Sequence, residues 1–172
     1  MTLSNKDRFQ VAMMAFFMVV AVVLELPWIL YRYDLVALAG TTGALGTVAK
    51  IFSVYGDCDR AYFDMVTPLS SGLEMLNVYV TQFLHLWLIY AIVKKKVYRN
   101  ALQLIIGSYL SYSVVLYFWS AHISGYELMR YKSWYTFGLF YGVNMPWLAF
   151  NLYLAWDACR IINAQFRRHA TS

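Results

Sequence analysis

A chain of 172 residues that is 61% hydrophobic, 19% aromatic and only 13% charged, with a mean hydropathy of +0.51, lies far from soluble composition. Globular domains run about 45–50% apolar and about 25% charged. Those values exclude a soluble domain, and the length suits one compact membrane domain with no room for a second.

Four apolar segments follow in chain order, at about 9–31, 65–93, 101–121 and 134–158. Each meets the requirement of about 20 mostly apolar residues for a hydrocarbon core near 30 Å. Alternating segments of about ten residues, the mark of a β-barrel, are not seen. The first run is too long for a cleaved signal and lacks a small-residue cleavage site, so it reads as a permanent span. The expected fold is an all-α integral membrane bundle of four transmembrane helices.

Basic residues orient it. Lys6, Arg8, Lys94, Lys95, Lys96, Arg99, Arg160, Arg167 and Arg168 fall on one side, against Arg32, Lys50, Arg60, Arg130 and Lys132 on the other. The positive-inside rule then places both termini in the cytoplasm. The net charge of +5 follows from this topology, and with no basic stripe of interleaved aromatics outside the spans, no nucleic-acid partner is implied. Cys58 and Cys159 fall on opposite membrane faces and cannot pair within one chain. No metal-ligand spacing of Cys and His appears, and no cofactor is implied.

Between the first two spans, residues 35–55 alternate small and apolar residues around Gly40, Gly43 and Gly46. This stretch reads either as a short helix lying on the outer leaflet or as an ordinary surface loop. The second span is the most polar: Thr67, Ser70, Ser71, Glu74, Asn77, Thr81 and His85 recur every three or four residues and share one helix face. In a membrane such a face must point at the bundle interior or a wet cavity.

Of nine acidic residues, Asp7, Asp34, Asp57, Asp59, Asp64, Glu127 and Asp157 fall in loops or at segment ends, whereas Glu25 and Glu74 lie inside spans. An intramembrane carboxyl group is expensive and marks a functional site by default. On a rise of about 1.5 Å per residue, Glu25 lies roughly 9 Å from the outer end of its span, Glu74 roughly 13 Å and Asn144 roughly 15 Å. Tyr112 and Tyr117 reach the same level from the third span, which predicts one chamber. Pro27, Pro68 and Pro146 sit beside these residues, where proline frees a helical carbonyl and widens the bundle. His85 and the intramembrane asparagines also admit a structural role, the asparagines as interhelical glue.

Burial disfavours the charged form of a carboxyl group, and two acids within reach of each other divide into proton donor and proton acceptor. A neutral glutamic acid can protonate a carbon–carbon double bond, and aromatic faces such as Trp28, Tyr112, Tyr117, Trp119 and Trp147 can stabilise the carbocation. The second acid then removes a proton elsewhere. Hydrophobic amines would mimic the cation and bind.

The segment Tyr55-Gly-Asp-Cys-Asp-Arg60, the glutamate of span two, Leu-Ile-Tyr-Ala-Ile-Val-Lys followed by Tyr98-Arg99, Leu-Tyr-Phe with His122 and Gly125, and Asn144-x-x-Trp147 resemble the emopamil-binding protein family. These EXPERA-domain membrane proteins include sterol isomerases and the sigma-2 receptor. The resemblance runs from about Glu25 to Ile161. It implies that Glu25 and Glu74 protonate and deprotonate ring carbons and that Asn144 and Trp147 line the pocket. It also implies a homodimer and, in a eukaryote, an endoplasmic reticulum location. The isomerases carry a histidine where this chain has Ala21, an acidic residue near Tyr112-Ser113-Val114, and five spans rather than four.

The leading expectation is a membrane-embedded acid/base isomerase acting on a sterol or related polycyclic isoprenoid. Its catalytic residues would be Glu25 and Glu74. Asn144, Trp147, Tyr112, Tyr117, Asn77, Trp28 and His122 would bind substrate. Two alternatives stay open: a terpenoid cyclase using the same acids, and a non-catalytic sterol or amine-binding protein like the sigma-2 receptor. In each, the partners are an apolar small molecule and membrane lipid.

Overall fold

The computed structural model describes residues 2–32, 42–65 and 67–170, and all regular structure among them is helical. Five long elements carry it: α1 Asn5–Arg32, α2 Gly43–Tyr55, α3 Pro68–Val93, α4 Arg99–Ile123 and α5 Trp134–Ala170. α1, α3 and α4 are long and apolar enough to cross a membrane. α5 has the length but is diluted by Gly, Asn, Tyr and Trp, and it continues past the apolar segment predicted to end at 158. Of the two readings of residues 35–55, the helix holds over Gly43–Tyr55; Asp34 and Gly40 lie outside the described residues.

Side-chain partners set the helix directions. Phe9 packs edge-on against Phe150 and Tyr153 of α5, and Phe17 stacks on Trp147 with ring centroids 3.8 Å apart. α1 therefore runs antiparallel to α5, and short connections make α3, α4 and α5 an up-and-down series.

α4 and α5 approach very closely at Gly107. A Cβ there would lie 2.7 Å from both Asn151 O and Ala155 N, so only glycine lets the two backbones approach this far.

Two of the three prolines behave unlike simple kinks. Pro68 is the first residue of α3, where the missing N–H is no loss. Ahead of it, Thr67 and Ser70 cap each other's backbone N–H groups. Pro27 cannot donate to Val23 O, and just before it α1 widens into a π-turn over Ala21–Glu25, with Leu26 N–H reaching Ala21 O. Pro146 sits within an unbroken α5. α3 contains a second π-turn over Asn77–Thr81, where the Gln82 side-chain amide donates to Asn77 O at 2.8 Å. Glu25 ends one π-turn and Asn77 opens the other, consistent with the tendency of such bulges to re-aim functional side chains.

Each end of the bundle is closed by charge. At the end carrying the termini, Asp157, fully buried, accepts from Lys6 (3.0 Å), Gln10 (3.2 Å), Gln103 (3.3 Å) and Arg160 (3.3 Å). Arg99 binds Asp7 and Gln10 beside it. At the far end, two backbone bonds tie the connections together, Arg60 N–H to Leu128 O (2.9 Å) and Arg130 N–H to Asp57 O (3.1 Å). Arg60 grips both oxygens of Asp64, holding that carboxyl below its ordinary range.

Gly107→Ala is expected to cost about 1–3 kcal/mol, as overpacking a close contact does, and to lower the thermal midpoint in detergent. Gly142→Ala, with open space at its Cβ position inside α5, should hold the midpoint or raise it slightly. Equal midpoints for both variants would refute the contact.

Candidate active site between the helices

The polar face of α3 and the π-turn of α1 meet around a cavity of about 90 Å³. Glu25 enters from α1, and Glu74, Asn77 and Thr81 from α3. Ser113 and Tyr117 enter from α4, and Asn144, Trp147 and Asn151 from α5. Helices α1, α3, α4 and α5 thus supply polar groups to one space, and both glutamates lie on its lining.

Each glutamate is held by one donor. Asn77 Nδ2 donates to Glu25 Oε2. Tyr62 Oη donates to Glu74 Oε1 at 2.6 Å, while Glu74 Oε2 is buried with no hydrogen-bond partner among the described residues. Tyr62 belongs to a short 3₁₀ turn, Arg60–Tyr62, that Asp59 caps by accepting from Ala61 N–H. Trp28 Nε1 donates to Tyr62 O at 2.9 Å, fixing the turn over the cavity. Burial first, and the neighbouring Glu74 second, push the Tyr62 hydroxyl well above its ordinary range, so it remains a donor.

A second chain of donors leads away from Asn144. Its Nδ2 donates to Tyr55 Oη at 3.0 Å and to Phe140 O at 2.7 Å. Tyr55 Oη lies 3.1 Å from Tyr117 Oη, and Tyr117 donates to Asp59. Because Tyr117 gives its proton to Asp59, it accepts from Tyr55, and every bond in the chain points toward the carboxylate. Asp59 is only 3% exposed; burial raises its carboxyl against the opposing hydrogen bond from Tyr117.

The helical period explains which expected residues lie off the cavity. Tyr109, Ser113 and Tyr117 follow one another by four and form a single stripe, whereas Tyr112 sits about 100° round the helix from Ser113 and about 140° from Tyr117, off the cavity and 66% exposed. Trp119 likewise faces outward. His122 is exposed at the far end beside Tyr126. Trp28 is buried, but it buttresses Tyr62 rather than lining the space. Sequence reasoning missed Tyr62, Tyr109 and Ser113, and it left Asp59 among the loop acids. The quoted segment ending at Arg60 was the signal for Asp59. The expectation of a single hollow also needs correction. A larger cavity of about 500 Å³ lies toward the far end, lined by Asp59, Ser70, Ser124, Met129 and Phe140 among others, and Tyr117 borders both.

The family model for EXPERA (EXPanded EBP superfamily) matches residues 47–158. The chain belongs to this family. Its EXPERA match takes in Glu74, Asn77, Tyr117, Asn144 and Trp147 and begins after Glu25, so the first acid comes from outside the matched segment. An integral membrane protein follows from the family and from three helices able to span.

Tyr62→Phe leaves Glu74 without its donor and should lower stability by about 1–3 kcal/mol, the range for a buried polar atom left unsatisfied. Tyr112→Phe should be neutral, and thermal unfolding of the two side by side decides. Cys58 is buried; burial, then the neighbouring Asp59, push its thiol up to about 12. It should therefore resist maleimide at pH 8 and react only after denaturation. Labelling of Cys58 in the folded protein would contradict its placement.

Proposed function

We propose that this protein is a membrane-embedded acid/base isomerase that shifts a double bond in a sterol or related polycyclic isoprenoid. The observation that carries the reading is the presence of Glu25 and Glu74, from α1 and α3, on the lining of one cavity, each steadied by a donor. In its neutral form one glutamic acid gives its proton to an alkene carbon: a C–H bond forms, the acid's O–H breaks, and a tertiary cation is left on the adjacent carbon. The other, as carboxylate, takes a proton from the next carbon, and that C–H electron pair becomes the new double bond. Trp147, Tyr109 and Tyr117 face the cation, and aromatic faces attract it by about 0.5–2 kcal/mol each. Asn144 positions the guest and Asn77 orients Glu25. The cavity of about 90 Å³ admits the reacting carbons.

The same reading takes α5 as a fourth span, 172 residues as one domain and both termini as cytoplasmic, with nine of fourteen basic residues on that side. The endoplasmic reticulum and a homodimer go with it. A second reading, a sterol or amine-binding protein like the sigma-2 receptor, is favoured by Ala21, fully buried where the isomerases have histidine.

Purified protein incubated with a panel of unsaturated sterols should shift double-bond position by NMR. Glu74→Gln and Glu25→Gln should each slow this by about 10²–10⁴-fold, the contribution of a positioned acid or base. No turnover by the unaltered protein, together with amine binding lost in both variants, would favour the binding reading. Cyclisation of a prenyl chain without sterol turnover would favour the cyclase.

A further inference from the structure

Proton transfer between two glutamates leaves the donor empty and the acceptor loaded, so the pair must be reset after each double-bond shift. We propose that the bundle contains a water-bridged proton path from the glutamate cavity to the ion-pair cluster at the end carrying the termini, with His85 as its relay. The proposal builds on the acid/base reading of Glu25 and Glu74.

Buried polar atoms almost always find a partner in protein or ordered water, and each failure costs about 1–3 kcal/mol. Among the described residues nine buried atoms lack a protein partner, and six of them bear on the path: Thr81 Oγ1, Asn151 Oδ1, Ser111 Oγ, both ring nitrogens of His85 and Gln103 Oε1. Thr81, His85, Gln103 and Asn151 are fully buried and Ser111 is 7% exposed. Bridging water is the usual occupant of such gaps.

Helix rise orders all of them but Ser111 Oγ by depth. Thr81 and Asn151 line the cavity. His85 follows Thr81 by four residues, about 6 Å deeper on the same face of α3. Beyond it that face turns apolar at Leu88 and Ile92, both fully buried, so a path must cross to α4. There Gln103 Nε2 reaches Leu154 O (3.1 Å) and Asp157 Oδ2 (3.3 Å). Those residues follow Asn151 by three and six, roughly 5–9 Å deeper and so near the level of His85. Asp157 continues to Lys6, whose side chain is 35% exposed. Imidazole suits the middle position because it accepts at one nitrogen while donating from the other. A purely structural histidine at this depth would bond a neighbouring group; neither of its nitrogens does.

Two measurements on lipid-reconstituted protein test the path without any substrate. In radiolytic hydroxyl-radical footprinting, internal water labels the residues it touches. His85 should be labelled although fully buried, while the equally buried Met14 stays silent. Silence at His85 would overturn the path.

Infrared spectroscopy after transfer to D₂O then follows exchange of the glutamic acid carbonyl band, assigned by its loss in Glu74→Gln or Glu25→Gln. His85→Gln keeps hydrogen-bonding groups but cannot take a proton, and should slow exchange by about 100-fold, the lower range for losing a positioned acid/base group. Exchange at the unaltered rate, or absence of such a band, would overturn the relay. Either result can occur with sterol turnover present or absent, which keeps this proposal separable from the isomerase reading.

Discussion

A carboxyl group removed from water must be supplied with hydrogen-bond donors, and that constraint organises this bundle. Among the described residues five acids are drawn into the interior or its edges, and each meets a different solution. Glu25 has an amide, Glu74 a phenol, and Asp59 a phenol and a backbone N–H. Asp7 has an arginine, and Asp157 has two cations and two amides. The acids with cationic partners all lie at the ends. Those in the middle have neutral donors only, an arrangement suited to groups that exchange protons rather than hold a fixed charge.

The donors in turn explain the architecture of the far end. Tyr55 and Tyr62 belong to the connection between α1 and α3, and they hang into the bundle because Asp59 caps the turn between them and Trp28 ties it down. The backbone bonds between residues 57–60 and 128–130 hold that connection against the α4–α5 loop. A loop is therefore part of the site, and the phenols reach the glutamate level only because the loop folds inward.

The helices contribute in a complementary way. The π-turns in α1 and α3 rotate Glu25 and Asn77 toward each other, and the close α4–α5 contact at Gly107 leaves the polar stripe of α4 facing the same space. Trp147 is stacked on Phe17, so one wall of the cavity is fixed by contact between α1 and α5. Such rigidity suits the carbocation chemistry proposed for the site.

The sequence by itself determined that the chain is helical and membrane-bound and that two acids lie inside its apolar segments. Long apolar runs can satisfy their backbone in lipid only as helices, and Glu25 and Glu74 are conspicuous because hydrocarbon tolerates few acids. The three- and four-residue spacing of the α3 stripe put Glu74, Asn77 and Thr81 on one face. Only the tertiary structure decided which aromatics join them. Tyr112 and Tyr117 look alike in the sequence, yet the rotation of α4 turns one outward and the other into the cavity. Tyr62 and Asp59 sit in a connection with no periodicity to read, and their positions depend on contacts with residues far along the chain. Local pattern fixes which face a helical residue occupies; where that face points is settled by packing.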